Sequence, residues 1–283
     1  MSGQQESEAI TQSFRNKTLF ITGASRGIGK AIALRFAAEG ANIIIAAKSI
    51  EENPKLGGTI FSAAIEIEDA GGKAFPVACD IREESQIIEA IEKGASFFGG
   101  IDALINNASA IGLSGTEQTE AKRFDLMHDI NVRGTFLVTK HCIPYLKKSA
   151  NPHILTLSPP ISLDPQWLGP HIAYTMSKFN MSMMSLAWAE EFREQGIAAN
   201  SLWPATTIAT AAVQNLLGGD ILINISRHPE IVADAAYFII RQAAADCSGF
   251  LFLDEDVLLA EGIRDFSHYS VTPGQKLQRD LFL

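Results

Sequence analysis

A tyrosine and a lysine stand four residues apart at Tyr174 and Lys178. On a helix, this spacing places the two side chains next to each other on one face. A tyrosine hydroxyl has a reference pKa of about 10 and is a poor base at neutral pH, but a nearby ammonium group favours the phenolate form. The pair therefore predicts a proton donor or acceptor at a substrate oxygen, although a Tyr-x-x-x-Lys pattern alone is common and usually structural.

A glycine-rich segment near the N-terminus has the spacing Gly-x-x-x-Gly-x-Gly and follows a predicted strand at residues 18–22. Glycine permits a tight turn and lets backbone N–H groups approach a diphosphate at the start of the following helix. A dinucleotide-binding motif requires this position between strand and helix. An ordinary turn that needs glycine for packing is the simpler interpretation. The functional interpretation assigns the phosphate contacts to Gly23, Ser25, Arg26, Gly27, Ile28 and Gly29.

The end of the second predicted strand bears on the choice between NAD and NADP. Enzymes that use NAD usually hold the adenosine ribose with an acidic residue there. Here Lys48 follows the strand, and no acidic residue comes before Glu51. Arg26 adds a second cation, and both cations favour a 2′-phosphate. We therefore predict NADP(H) as the cofactor; the alternative is that Lys48 is merely a solvated surface lysine.

Short apolar runs alternate with helical patterns along the chain. Strands that are apolar throughout are buried on both faces, which indicates a parallel sheet, and their alternation with helices indicates crossover connections. The sequence predicts an α/β, doubly wound Rossmann fold with a parallel sheet of about seven strands and helices on both faces. The predicted strands are 18–22, 42–47, 73–79, 103–106, 153–157, 198–203 and 250–253. The predicted helices are 28–39, 59–70, 84–97, 122–145, 174–193 and 231–241.

Together these motifs resemble the short-chain dehydrogenase/reductase family over residues 16–255. The segment Asn106–Ser109 resembles the Asn-Asn-Ala-Gly motif after the fourth strand, with serine in the last place. The resemblance implies cofactor contacts from Asn107 and Ala108, and an adenine contact from Asp80 with Ile81 beside it. It also implies that Asn131 holds, through its carbonyl, a water that connects to the lysine.

The resemblance breaks down after the fifth strand, where the family places a serine that holds the substrate carbonyl. An ungapped match puts Pro159 at that position, and proline has neither a hydroxyl nor an N–H group. Ser158 is therefore our first candidate for this catalytic role, and Ser162 is the alternative. After the sixth strand, the chain resembles the loop that touches the nicotinamide carboxamide, and Ile208 and Thr210 are the candidates there.

The chain divides into a flexible N-terminal arm at residues 1–15, a single domain at 16–262 and a C-terminal tail at 263–283. Within the domain, residues 205–228 are expected to form a lid over the substrate. Apolar residues such as Val213 and Leu216 in this lid, and Trp167 outside it, suggest a lipid-like, steroid-like or acyl substrate. The same residues would equally serve to pack the core.

Composition excludes several other classes. The 283 residues carry 23 basic and 32 acidic side chains, which gives a formal charge of −9 and argues against binding of nucleic acid. No window reaches the roughly 18 uninterrupted apolar residues of a membrane span. Cys79, Cys142 and Cys247 fit neither a disulfide framework nor a zinc pattern, so we expect no metal and a cytoplasmic location.

The predicted function is an NADP(H)-dependent oxidoreductase that acts on CH–OH groups and carbonyls of a small apolar substrate, with Tyr174 as the acid/base. A reductase of the C=C bond of enoyl or dienoyl thioesters is one alternative, and an NADP-binding sensor or scaffold without turnover is another. The apolar helix around residues 181–189 and the helix of Asn131 correspond to a subunit interface in the family. The resemblance therefore implies a homodimer or homotetramer.

Overall fold

The computed structural model describes residues 14–283, so the predicted arm lies almost wholly outside the described residues. Seven strands form one sheet in the order β3-β2-β1-β4-β5-β6-β7, and every neighbouring pair is parallel. This confirms the predicted doubly wound α/β fold. The strands are β1 (Thr18–Thr22), β2 (Asn42–Ala47), β3 (Lys73–Ala78), β4 (Ala103–Asn106), β5 (His153–Leu157), β6 (Ala198–Trp203) and β7 (Leu251–Leu253).

The central strands have apolar side chains on both faces because helices cover both sides of the sheet. Successive side chains of a strand point to opposite faces. Phe20 and Ile44 accordingly lie in one fully buried cluster, while Ile21 and Ile43 lie in another. Strand β3 is an edge strand, and its residues are only half-buried or exposed.

Ten α-helices of the described chain surround the sheet. They are α1 (Gly27–Ala37), α2 (Ile60–Asp69), α3 (Glu84–Phe98), α4 (Ala121–Met127), α5 (Thr135–Leu146), α6 (Pro165–Leu168), α7 (Ile172–Glu191), α8 (Gly219–Asn224), α9 (Glu230–Arg241) and α10 (Asp254–Ala260). The sequence did not predict the short helices α6, α8 and α10, since a helix of one or two turns shows too little periodicity to be recognised.

The helix predicted at residues 122–145 is interrupted by a π-helical segment, His128–Gly134, between α4 and α5. A π segment inserts an extra residue into a helical turn, which a simple apolar period does not reveal. Gly134 ends the segment against Ile81, where a Cβ atom would lie only 2.8 Å from Ile81 Cδ1. Glycine therefore allows the helix to pack closely against the end of β3.

The C-terminal residues 263–283 pack along both ends of the predicted lid. The N–H of Thr207 donates to Gln278 O at 3.0 Å, and the N–H of His228 donates to Tyr269 O at 2.7 Å. Phe282 is buried. The tail is thus integrated with the lid segment, and its last residues reach the interior.

Within residues 14–283, no helix is both long and apolar enough to cross a membrane. No group of three or more His, Cys, Asp or Glu side chains in that range could hold a metal ion. The three cysteines are free thiols and all are buried.

Candidate active site

The glycine-rich turn between β1 and α1 has the backbone geometry that its sequence predicts. Gly23 and Gly27 have φ angles of +68° and +55°, in the left-handed region that favours glycine. Gly29 meets a different constraint, because a Cβ atom there would lie 2.4 Å from Asn107 Nδ2 and 2.7 Å from Gly23 O. This turn therefore needs glycine for close approach as well as for backbone conformation.

Asn107 joins this turn to the end of β4. Its Nδ2 donates to the carbonyl oxygens of Thr22 and Gly23, at 2.9 and 3.2 Å. In return, the Thr22 hydroxyl accepts from the backbone N–H groups of Asn107 and Ala108, both at 3.0 Å. These four bonds hold the phosphate turn and the following loop in a fixed relation. The sequence analysis did not single out Thr22.

A cavity of about 360 Å³ opens at the carboxyl ends of the strands, beside this turn. In a doubly wound fold, ligands bind in this position. A larger cavity of about 480 Å³ lies elsewhere, around Asp102, and contains none of the predicted residues. The predicted residues that line the smaller cavity are Gly23, Ser25, Arg26, Gly27, Ile28, Lys48, Asp80, Ile81, Asn107, Ala108 and Thr210.

Positive charge lies on the side of this cavity where β2 ends. Arg26 donates to the Ser49 hydroxyl, and to Gly58 O at 3.1 Å. Lys48 is exposed, which leaves its ammonium group accessible to a ligand. The structure therefore brings the two predicted cations to one side of the cavity.

The carboxylate of Asp80 follows the neighbouring strand β3, close enough to Lys48 for their charges to interact, and is already engaged. It binds the Arg82 guanidinium at 2.5 Å, and this hydrogen bond holds the pKa of Asp80 below its ordinary value. The Asp80 N–H donates to Gln86 Oε1 at 2.9 Å. Asp80 thus lines the cavity as predicted, and Arg82 is an additional neighbour that the sequence analysis missed.

A second cavity, of about 190 Å³, lies further in and contains the predicted acid/base pair. Tyr174 and Lys178 both line it. It shares Ile28, Asn107, Ser109, Thr210 and Ala212 with the outer cavity. The tyrosine and lysine therefore adjoin the crevice where a dinucleotide would bind. Ile208 also lines this inner cavity.

Lys178 is buried with few partners. Its Nζ donates to Leu157 O at 2.8 Å and lies 5.2 Å from the centroid of the Trp203 ring. Burial disfavours the charged form and lowers the pKa of Lys178 to about 7.

The phenol of Tyr174 is also buried, and its environment differs from the sequence expectation. Burial, followed by the negative charge of Asp280, raises the pKa of Tyr174 above its ordinary value. The lysine was expected to favour the phenolate, but desolvation has the larger effect because no water surrounds the ring. With the protein groups alone, Tyr174 is therefore a protonated phenol at neutral pH.

Asn131 lies in the π-helical segment and is fully buried. Its carboxamide accepts from the Ala110 N–H at 2.8 Å and donates to Ala110 O and Ser177 Oγ, both at 2.9 Å. The Ser177 hydroxyl in turn donates to Tyr174 O at 2.8 Å. Asn131 therefore ties the loop after β4 to the helix that carries the tyrosine.

The structure brings neither candidate serine into the inner cavity. Ser158 is fully buried, and its hydroxyl has no hydrogen-bond partner among the described residues. The Ser162 hydroxyl accepts from the Asp164 N–H at 3.3 Å. The carbonyl of Pro159 accepts from the Ser182 hydroxyl at 2.6 Å, which turns this loop towards α7.

The sequence analysis missed the contribution of the C-terminal residues. Asp280 and Leu281 line the inner cavity. The Phe282 ring lies among five others, with centroid distances of 5.2–6.1 Å to Trp167, His171, Tyr174, Phe179 and Trp203. The only signal in the sequence is the apolar triplet at residues 281–283, which ends an otherwise polar tail.

The fold and the site together define a class of protein. A glycine-rich turn after the first strand, a crevice at the carboxyl edge of the sheet and a Tyr-x-x-x-Lys helix beside it are combined on one seven-stranded parallel sheet. A family model described as short chain dehydrogenase matches residues 17–218. The chain therefore belongs to the short-chain dehydrogenase family of oxidoreductases.

Two relatives that share one name show which members of this family the chain is similar to. Hydroxysteroid dehydrogenase-like protein 2 of Danio rerio is 56% identical over 266 residues, which cover 94% of this chain and 63% of that protein. The Homo sapiens protein of the same name is 54% identical with the same coverage. The chain thus spans less than two thirds of the length of these relatives.

Solved structures agree with the fold. A short chain dehydrogenase from Mycobacterium thermoresistibile has 54% identity and a TM-score of 0.90, and the match covers 95% of each chain. More distant structures, at 23% and 20% identity, contain NADP in one case and NAD in the other. At such low sequence identity, these two structures support the shared fold alone and do not decide between NAD and NADP for this chain.

Replacing Gly29 by alanine is expected to weaken dinucleotide binding. The added Cβ would displace the Asn107 carboxamide, and an overpacking cost of about 1–3 kcal/mol borne by the bound state corresponds to a loss of about 5- to 150-fold in affinity. The dissociation constant of NADPH, measured by fluorescence titration, checks this. Gly115→Ala is the matched control, because its Cβ would meet only the end of the Gln118 side chain within 3.5 Å. Unchanged affinity in Gly29→Ala would contradict the assigned role of the turn.

Proposed function

We propose that this protein is an NADP(H)-dependent oxidoreductase that interconverts an alcohol and a carbonyl group on a small apolar substrate. The observation that carries the proposal is the position of Tyr174 and Lys178 in a cavity that shares walls with the crevice at the carboxyl edge of the sheet. Proton transfer and cofactor binding are thereby brought next to each other.

The residues around the outer cavity fit a dinucleotide. Gly29 lets the Asn107 carboxamide pack directly against the turn, and the turn lies at the start of α1, where backbone N–H groups favour a diphosphate. When bound, the nicotinamide supplies or accepts the hydride. Thr210 lines both cavities, and Ile208 lines the inner cavity alone. Both positions suit a contact with the nicotinamide end of the cofactor.

The choice of NADP(H) is supported by charge. Arg26 and the exposed Lys48 lie on one side of the outer cavity, at the end of β2. An additional phosphate on the ribose would bind two cations there, and charge-assisted hydrogen bonds are stronger than neutral ones. The nearest acidic residue along the chain after β2 is Glu51, which follows Lys48 by three positions.

Tyr174 is the proton donor in the direction of carbonyl reduction. Its buried phenol holds its proton at neutral pH, and the Lys178 ammonium is fixed nearby by the carbonyl of Leu157. Proton donation to the substrate oxygen completes the alcohol as the carbonyl carbon receives the hydride. In the reverse direction, Tyr174 would accept the hydroxyl proton.

The inner cavity favours an apolar substrate. Its walls include Leu157, Val213, Leu217 and Leu281, together with Ile111. Such a lining would remove water from an alkyl chain or a ring system. The polar side chains of the same cavity would then contact the reacting oxygen. A lipid-like, steroid-like or acyl substrate fits this lining.

Replacing Tyr174 by phenylalanine tests the acid/base assignment. We expect carbonyl reduction to fall by about 10²–10⁴-fold, the usual contribution of a positioned acid or base. NADPH oxidation is followed spectroscopically with ketones, aldehydes and enoyl thioesters, and NADPH affinity is measured in parallel. Activity on enoyl thioesters that survives the substitution would indicate a C=C reductase, and NADPH binding without turnover in the wild type would indicate a sensor or scaffold.

The cofactor preference is tested by reversing one charge. The wild type is expected to bind NADPH about tenfold or more tightly than NADH, since a charge-assisted bond contributes about 1.5–3 kcal/mol. Lys48→Glu should remove or reverse this preference, because a carboxylate repels the phosphate and accepts from ribose hydroxyls. Lys73→Glu makes the same charge change at the opposite end of the sheet and should have no effect. Equal affinities in the wild type would refute the assignment.

The proposed homodimer or homotetramer is supported by exposed apolar side chains on α5 and α7. Phe136, Met176 and Met183 are 49%, 46% and 58% exposed in the single chain. Sedimentation velocity is expected to give two or four times the chain mass of 30.6 kDa. Phe136→Glu with Met183→Glu should shift the species towards the monomer, because burial of both carboxylates would be costly. A monomeric wild type would contradict the proposal.

A further inference from the structure

The inner cavity has a gap in its hydrogen-bonding groups if the substrate is a carbonyl compound, as proposed above. Pro159 stands where the family has a serine, and Ser158 and Ser162 do not line the cavity. Tyr174 would supply one hydrogen bond to the carbonyl oxygen. A carbonyl oxygen accepts two hydrogen bonds, and loss of one donor typically costs about 10²–10³-fold in rate. A second donor in the inner cavity would therefore accelerate carbonyl reduction.

The polar side chains that line only the inner cavity are Tyr174, Lys178, Trp203, Thr207 and Asp280. The Lys178 ammonium donates one of its three N–H groups to Leu157 O and keeps two, whereas the single N–H of the Trp203 indole donates to Leu281 O at 3.0 Å. The Thr207 hydroxyl lies 2.7 Å from the Ser226 hydroxyl and shares a hydrogen bond with it. Ser109 and Thr210 line both cavities, so they lie on the dinucleotide side. Apart from Tyr174 and Lys178, which share one helix, the remaining polar group is the carboxyl group of Asp280, and its Oδ2 has no hydrogen-bond partner among the described residues.

The backbone holds Asp280 firmly in this position. Its N–H donates to Ala205 O at 3.2 Å, and Arg279 forms an antiparallel bridge with Thr206. On the other side, the Phe282 ring is anchored among five aromatic rings, and Phe282 adopts a φ of +74°, which its surroundings must enforce. The chain is therefore held in place on both sides of Asp280, so the position of this residue is preorganised.

One oxygen of the carboxyl group is engaged locally, since Asp280 Oδ1 accepts from the Leu281 N–H at 2.7 Å. The charged groups around it are Lys178 on α7 and Asp254 at the start of α10. Burial, and to a lesser extent the charge of Asp254, raises the pKa of Asp280 to about 7, while the hydrogen bond from the Leu281 N–H and the charge of Lys178 act in the opposite direction. The neutral acid is therefore well populated at and below neutral pH.

We propose that the Asp280 carboxyl group, in its neutral form, donates a hydrogen bond to the substrate carbonyl oxygen and so takes the role of the absent serine. Asp280 is then a catalytic residue that shares the carbonyl oxygen with Tyr174. It keeps its own proton, and the proton of the product alcohol comes from Tyr174. A carboxylic acid held neutral by an apolar site is a known form of hydrogen-bond donor.

Two substitutions separate this role from others. Asp280→Asn keeps the oxygen that accepts from Leu281 and offers an amide N–H donor whatever the pH. Asp280→Ala removes the donor. With saturating NADPH and decanal at pH 6, we expect kcat to fall about 100-fold in Asp280→Ala and to stay close to the wild-type value in Asp280→Asn. Asp280→Leu replaces Asp280→Ala if the smaller side chain impairs folding.

Binding provides a readout that does not depend on turnover. Decanamide carries a carbonyl oxygen that cannot be reduced by hydride transfer under these conditions, and its dissociation constant is measured by calorimetry with NADP⁺ present. Asp280→Ala is expected to weaken decanamide binding, and Asp280→Asn is expected to retain it. The dissociation constant of NADPH should be unchanged in both variants.

The pH dependence gives a further contrast. A neutral acid loses its donor as pH rises through its pKa, so wild-type kcat is expected to fall above about pH 7, where Lys178 also loses charge. Asp280→Asn should show a smaller fall, because its donor does not titrate. An equal loss of kcat in Asp280→Asn and Asp280→Ala would show that negative charge is what matters and would overturn the proposal.

The outcome also distinguishes this inference from the proposed function. If Tyr174→Phe abolishes turnover and Asp280→Ala keeps wild-type kcat, the oxidoreductase assignment stands and the role of Asp280 is refuted. If the wild type binds NADPH but reduces no ketone or aldehyde of the panel used for Tyr174→Phe, both the carbonyl chemistry and the role of Asp280 are refuted.

Discussion

The burial of one ammonium group constrains the whole site. Removal of a charge from water costs of the order of several kcal/mol unless polar groups compensate for it. Lys178 Nζ meets this demand with the carbonyl of Leu157 at the end of β5 and the face of the Trp203 ring at the end of β6. Helix α7 is thereby fixed against two strand ends, and Tyr174, one turn earlier, lines the same cavity.

A second constraint fixes the cofactor side. The Thr22 hydroxyl and the Asn107 carboxamide exchange hydrogen bonds between the ends of β1 and β4, and Gly29 leaves the space in which Asn107 sits. Because these contacts connect neighbouring strands of one sheet, the glycine-rich turn and the loop after β4 keep a defined separation. Catalysis by positioned groups depends on such preorganisation.

The features predicted correctly from the sequence are those that depend on residues close together along the chain. Apolar runs identify all seven strands, and the glycine spacing identifies the phosphate turn, since both depend on neighbouring residues. The π-helical segment around Asn131 escapes prediction because one inserted residue does not disturb the overall apolar pattern. Asp280 and Phe282 escape it because their positions depend on pairing with residues some 75 positions earlier, around Ala205. The effect of burial on the Tyr174 pKa likewise depends on the packed structure.

Isotope transfer tests the central claim most directly. NADPH carrying deuterium at C4 of the nicotinamide is supplied as each of its two diastereomers with decanal, and the product is analysed by mass spectrometry and NMR. The arrangement of Tyr174 and Lys178 beside the dinucleotide crevice predicts decanol with deuterium on C1 from one diastereomer. Binding of NADPH with no label transfer to decanal, ketones or other carbonyl compounds, or transfer solely to a carbon of a C=C bond, would contradict carbonyl reduction at this site.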